Sequence, residues 1–219
     1  MAQQTIYTNT FFLREWKVSG LWNSILREAM EANKTQNPGV NNGPWQISPE
    51  AYPNDFDTQS NRSDLLVSQL RQNGNQCDTV DHPLIYFEAK RGASNNYTSN
   101  ARWRAVRMQI EAWCDLADGV EKGRPCWAIG AIGKEVKFWI FTGSILYNGS
   151  NSKMVPVWCD NNQAVVGWSQ PHWQNGDNAD DRAPYEYHEG SVPIIIDHML
   201  SHPWAENLPH PSGQGQDAW

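Results

Sequence analysis

LIYFEAK, residues 84–90, is the stretch on which the fold turns. Its aromatic and β-branched residues favour a strand. Period-2 alternation sets Ile85, Phe87 and Ala89 on one face and Tyr86, Glu88 and Lys90 on the other. The first face is apolar and small enough to pack under a helix. The second places a carboxylate and an ammonium about 7 Å apart along the strand.

Upstream, SDLLVSQL (63–70) reads as a partner strand, closed by a turn segment over 71–83, so a hairpin carries Asp64 to the same end of the sheet as Glu88. Further back, residues 11–32 have helical spacing through Leu13, Trp16, Leu21, Ile25, Ala29 and Met30, ending before the Pro- and Gly-rich 33–44. A short strand is expected at 45–48. Downstream, Ser99 or Asn100 can cap a helix over 101–118, with Val106, Ile110, Trp113, Cys114 and Ala117 on its apolar face. Residues 126–143 read as a second hairpin. Beyond 150 the expectations are short strands at 155–158 and 164–168, a surface loop at 175–190 and a helix at 193–202 that starts on Pro193. The order predicts an α/β protein whose central mixed sheet is flanked by helices. Its organisation reads as a core over 11–143, an extension over 144–204 packed on the same domain, and a tail over 205–219.

Composition narrows the class. The chain has 219 residues, with 17 basic and 24 acidic side chains, a net charge of −7 and a mean hydropathy of −0.67. Twelve tryptophans argue for a folded protein, since each must be buried, stacked or ready for a ligand. The acidic balance disfavours long-range capture of nucleic acid, so any such contact needs a local basic patch. No apolar run reaches the roughly 18–20 residues of a membrane span. Residues 1–18 lack a basic stretch followed by an apolar one, and the four cysteines are widely spaced without C-x-x-C. The expectation is an intracellular protein, in cytoplasm or nucleus, with reduced thiols and no membrane contact.

Two carboxylates with neutral oxygens nearby suit a hard divalent cation, Mg²⁺ or Mn²⁺. A lysine beside them can orient a water and stabilise charge developing on a phosphate. An isolated E-x-K is more often an exposed, solvated strand face. A second signal favours the site: residues 89–110 hold Lys90, Arg91, Arg102, Arg104 and Arg107 and no acid, a patch that could face phosphate.

The arrangement of Ser63-Asp64, Glu88-Ala89-Lys90 and QIEAW at 109–113 resembles the PD-(D/E)xK nuclease superfamily, the restriction-endonuclease-like fold. PLIYFEAKRG followed by RMQIEAWCDLA is similar to the nuclease-like domains of filamentous fungi. The likeness covers residues 11–142. It implies that Asp64, Glu88 and the Ala89 carbonyl hold Mg²⁺ or Mn²⁺, and that Lys90 positions the attacking water. Gln109 would match the glutamine of the superfamily's Q-x-x-x-(Y/W) helix. An acid on the first helix, Glu15 or Glu28, would complete the site. Ser63 stands where many members have proline. The implied activity is hydrolysis of phosphodiester bonds in DNA or RNA, DNA being the first expectation. The alternatives are a catalytically silent nuclease-like module that binds nucleic acid or protein, and a secreted Trp-rich effector with paired cysteines.

Other motifs carry less. His198 and His202 at i, i+4 lack a third ligand, 129–134 lacks the spacing of a phosphate loop, and SNSK at 150–153 fits S-x-x-K only by letter. Asp177, Asp180 and Asp181 match no EF-hand spacing. Trp158, Trp168 and Trp173 read as packing residues rather than a stacking platform.

Overall fold

A computed structural model describes residues 7–36, 45–51, 63–73, 76–93, 99–117, 126–141, 154–167 and 183–202. Along these run a 3-10 turn at Phe11–Leu13, α1 (Glu15–Gln36), β1 (Trp45–Ala51), β2 (Ser63–Asn73), β3 (Gln76–Lys90) and α2 (Asn100–Ala117). There follow β4 (Cys126–Ile132), β5 (Glu135–Phe141), β6 (Met154–Cys159), β7 (Val165–Gly167), β8 (Tyr185–Glu186) and α3 (Ser191–Ser201). The strands form one mixed sheet in the order β1 to β7, with β8 on β5. Every pairing is antiparallel except β3–β4, where α2 makes the crossover a parallel pair requires. The α/β class with a mixed central sheet is as the sequence predicts.

Helices cover both faces, and the alternation in β3 decides which side chains meet which helix. Ile85, Phe87 and Ala89 join the core under α1 and α3. Tyr86 joins a second core under α2, with Trp103, Val106, Ile110, Trp113 and Cys114. The expected apolar face of α2 is thus met, except that the Ala117 side chain lies outside the described residues, and Trp103 extends it by a turn. Asn33 is buried in α1 and ties it to α3, its amide donating to Asp197 Oδ1 and Ser201 Oγ, both at 2.9 Å.

Several boundaries differ from the sequence reading. The buried row of α1 is Val18, Trp22, Leu26 and Met30, so Leu13 and Trp16 fall outside it and are exposed. Leu13 lies in the 3-10 turn, where the helical phase does not yet hold, and Trp16 lies in α1 off the buried row. Residues 71–73 and 76–83, expected as a turn, are strand instead: β2 and β3 pair out to Asn73 opposite Gln76. Register shifts between Val67, Ser68 and Leu70 accompany Pro83, which has no N–H for the ladder. In the loop expected at 175–190, Tyr185 and Glu186 form β8, and Tyr187 is buried with its N–H donating to the Lys134 carbonyl at 2.9 Å. α3 starts at Ser191, which leaves Pro193 in the first turn, where a missing N–H costs nothing. Residues 205–219 lie outside the described residues. Among the described residues no helix is long and apolar enough to cross a membrane.

Candidate active site

The site forms where the start of β2 meets the end of β3. Leu65 pairs with Phe87, so Asp64 and Glu88 follow on the face of the sheet that α2 covers. Buried Ser63 staples this junction, its hydroxyl lying 3.0 Å from the Phe87 carbonyl and 2.6 Å from that of Leu65. A small hydroxyl here can satisfy strand carbonyls that proline could not. The Ala89 N–H donates to Asp64 Oδ2 at 2.7 Å, which fixes that carboxylate against β3. N–H and C=O of one strand residue point the same way, so the Ala89 carbonyl lies on the Asp64 edge as well.

Glu88 is 1% exposed, which removes the reading of a solvated strand face. Lys90 contacts Glu88 Oε1 and lies 3.5 Å from Glu15 Oε1 at the first residue of α1. The structure therefore separates the two first-helix acids. Glu15 reaches Lys90, whereas Glu28 is exposed 13 residues along α1, about 20 Å away, and is not brought to the site.

Burial first, then the facing Asp64 carboxylate, push Glu88 from 4.5 up to about 8, with Lys90 opposing. Burial also raises Asp64, against the pull of the Ala89 N–H and of Lys90. Burial pulls Lys90 down, but its hydrogen bond to Glu88 and the charges of Glu88, Glu15 and Asp64 outweigh it and raise it. The lysine is therefore a cation at neutral pH, and one proton sits on the carboxyl pair. Protonation of Glu88 relieves its repulsion with the Asp64 carboxylate. As a carboxylate it is underserved: both its oxygens are buried without a hydrogen-bond donor in good geometry, Oε1 keeping only the ion pair with Lys90. Orphaned oxygens facing a second carboxylate fit a divalent cation. Asp64, Glu88 and the Ala89 carbonyl are the donors at hand. Among the described residues no group of three or more His, Cys, Asp or Glu is placed to hold a metal, so a cation here would need water for its remaining donors.

The other expected residues distribute less simply. Gln109 is half-buried on α2, and no hydrogen bond or ion pair among the described residues joins it to Asp64, Glu88 or Lys90. Arg91 and Arg104 are exposed, and Arg102 donates to the Arg91 carbonyl. Arg107 departs from the basic-patch reading. It is 5% exposed and pairs with Glu111 at 3.1 Å, one residue beyond the acid-free window 89–110. His198 and His202 stack on each other at 4.1 Å, and Trp158 is buried. Residues 129–134 are β4 and its turn, not a loop before a helix. Trp168, Trp173, the acidic cluster 177–181 and 150–153 lie outside the described residues.

Two groups escaped the sequence reading. Lys137 is buried on β5 in the cross-strand row Glu88, Gly130, Lys137, its ammonium 5.1 Å from the Trp103 ring. Its alternation with Trp139 and Phe141 was the available signal. The second is Trp16, taken as a core residue and found exposed beside Glu15. Comparison of the chain with protein-family models, curated proteins and solved structures returns no match.

Proposed function

We propose that the chain is a metal-dependent nuclease that hydrolyses phosphodiester bonds in nucleic acid, DNA in the first instance, on a restriction-endonuclease-like core. The observation that carries this is the buried Glu88 carboxyl, its oxygens without a hydrogen-bond donor, facing Asp64 and with the Lys90 ammonium beside it. Chemistry of this kind is worth building into a protein interior only where a cation and a negatively charged reactant take up the unmet charge.

Asp64, Glu88 and the Ala89 carbonyl would hold Mg²⁺ or Mn²⁺. When bound, such an ion lowers the pKa of water and offsets charge on a phosphate. Loading the site requires Glu88 to release its proton. The Ala89 N–H holds Asp64 Oδ2 in place, which leaves Oδ1 for the cation. Lys90 stays charged through the working pH range, so it serves as a hydrogen-bond donor that orients water or a phosphate oxygen and not as a general base. Glu15 reaches Lys90 from α1 and restrains the ammonium.

The test is cleavage of single- and double-stranded DNA and RNA by wild type and Lys90→Ala, in Mg²⁺, Mn²⁺ or EDTA. Expected is cutting that EDTA abolishes and that Lys90→Ala lowers by about 100-fold or more. A folded wild type that cuts nothing in Mn²⁺, or cutting that Lys90→Ala leaves unchanged, overturns the proposal. Salt-sensitive binding without cutting would make the chain a nuclease-like binding module instead.

A further inference from the structure

Single apolar residues on a protein surface are ordinary, but the position of Trp16 is not. It is 70% exposed, whereas Trp22, Trp103, Trp113, Trp127, Trp139 and Trp158 are each 5% exposed or less. It follows Glu15 directly, and Glu15 reaches Lys90 at the rim of the carboxylate pair. The indole is also held. The Lys17 ammonium lies over it, 5.5 Å from its centroid, and over Phe11 at 5.2 Å. Phe11 in turn stacks on Tyr7 with centroids 4.3 Å apart. Lys17 therefore lies over the ring, most of the indole meets solvent, and Arg14, two residues earlier in the chain, is also exposed.

We propose that Trp16 is a stacking platform for an unpaired base of the substrate, so that the substrate is single-stranded or locally unpaired nucleic acid. The inference rests on the nuclease reading of the Asp64–Glu88–Lys90 site. A rigid aromatic face takes any base whose own faces are free, and Lys17 and Arg14 stand ready for the flanking phosphates. A paired duplex offers no such face except at its ends. Trp16 follows Glu15 at the start of α1, so a base on the indole would sit at the same end of that helix that reaches Lys90.

Binding of labelled oligothymidylate and of a capped hairpin duplex, by full-length protein in EDTA, tests this without cleavage. Trp16→Ala should weaken single-strand binding roughly 5- to 150-fold, the equivalent of one stacked base, and leave duplex binding within about twofold. Trp16→Phe should recover most of the loss. An unchanged single-strand affinity in Trp16→Ala, an equal loss on the duplex, or a wild type that binds neither, overturns the proposal. So does a Trp16→Ala variant that binds nucleic acid normally but no longer self-associates, since the patch is then a protein surface. The two readings fail separately. A wild type that binds single strands through Trp16 yet cuts nothing in Mn²⁺ loses the nuclease and keeps the platform. One that cuts single strands with KM unaltered by Trp16→Ala keeps the nuclease and loses the platform.

Discussion

Glu88 carries the clearest single-residue consequence. A carboxyl raised to about 8 keeps its proton in the fold while the unfolded chain, near 4.5, has lost it. Between those values the folded state binds more protons, so metal-free stability must fall as pH rises, by up to about 1.4 kcal/mol per unit. Glu88→Gln keeps the shape and removes the titration. Urea unfolding in EDTA at pH 5 and pH 8 should show a clear loss in wild type and a much smaller one in the variant. The remainder is the same-signed share of Asp64, which is also raised. A wild type equally stable at both pH values would mean that Glu88 is not protonated in the fold. Glu88 and Lys90 were legible as a pair from strand alternation alone. That Glu88 is 1% exposed was not, because alternation tells which residues share a face and not what lies over that face.

At the scale of elements, two glycines define how β4 and β5 hold the site end of the sheet. Gly133 has φ +61°, and a Cβ there would stand 2.7 Å from the Gly92 Cα. Gly130 pairs with Glu88 across β3–β4, and its Cβ would lie 2.7 Å from Val106 Cγ1 and 2.8 Å from the Trp139 ring. Gly133→Ala should cost about 2 kcal/mol or more, since left-handed strain and a backbone clash add. Gly130→Ala should cost about 1–3 kcal/mol through overpacking under α2. Urea midpoints at unchanged slope measure both, and a Gly133→Ala midpoint equal to wild type would remove the close approach of the two turns. Neither role shows in the local sequence, because both depend on which strand lies alongside. The β2–β3 ladder is a contrasting case. Gly74-Asn75, between the two strands, is an ordinary sequence signal of a hairpin, but polar residues on both sides masked the strands leading into it.

For the whole molecule, the sheet runs from β1 to β7 without a break, and α1, α3 and α2 close its two faces. A cation seated between β2 and β3 binds the folded chain alone, so it should stabilise the entire cooperative unit. Mn²⁺ at about 100 times its Kd should add about 2.7 kcal/mol, seen as a rise in Tm that Asp64→Asn and Glu88→Gln abolish. Because loading displaces the proton on Glu88, affinity should climb by up to tenfold per pH unit below about 8 and level off above it. Metal affinity that is flat from pH 6 to 8 would show that the proton and the cation do not compete, and would place the cation elsewhere. Binding calorimetry across that range decides it.

Local sequence sufficed for what depends on local periodicity: the α/β class, strand 84–90 with its two faces, and the apolar face of α2. These follow because side-chain direction repeats every 2 residues in a strand and about every 3.6 in a helix. The tertiary structure alone decided what depends on residues distant in the chain. It brought Glu15 rather than Glu28 to Lys90, buried Arg107, and left Trp16 outside the core. Burial and electrostatic shift are sums over neighbours in space, and the burial of Glu88, with a carboxyl 24 residues away added to it, raises its pKa only once β2 and β3 have paired.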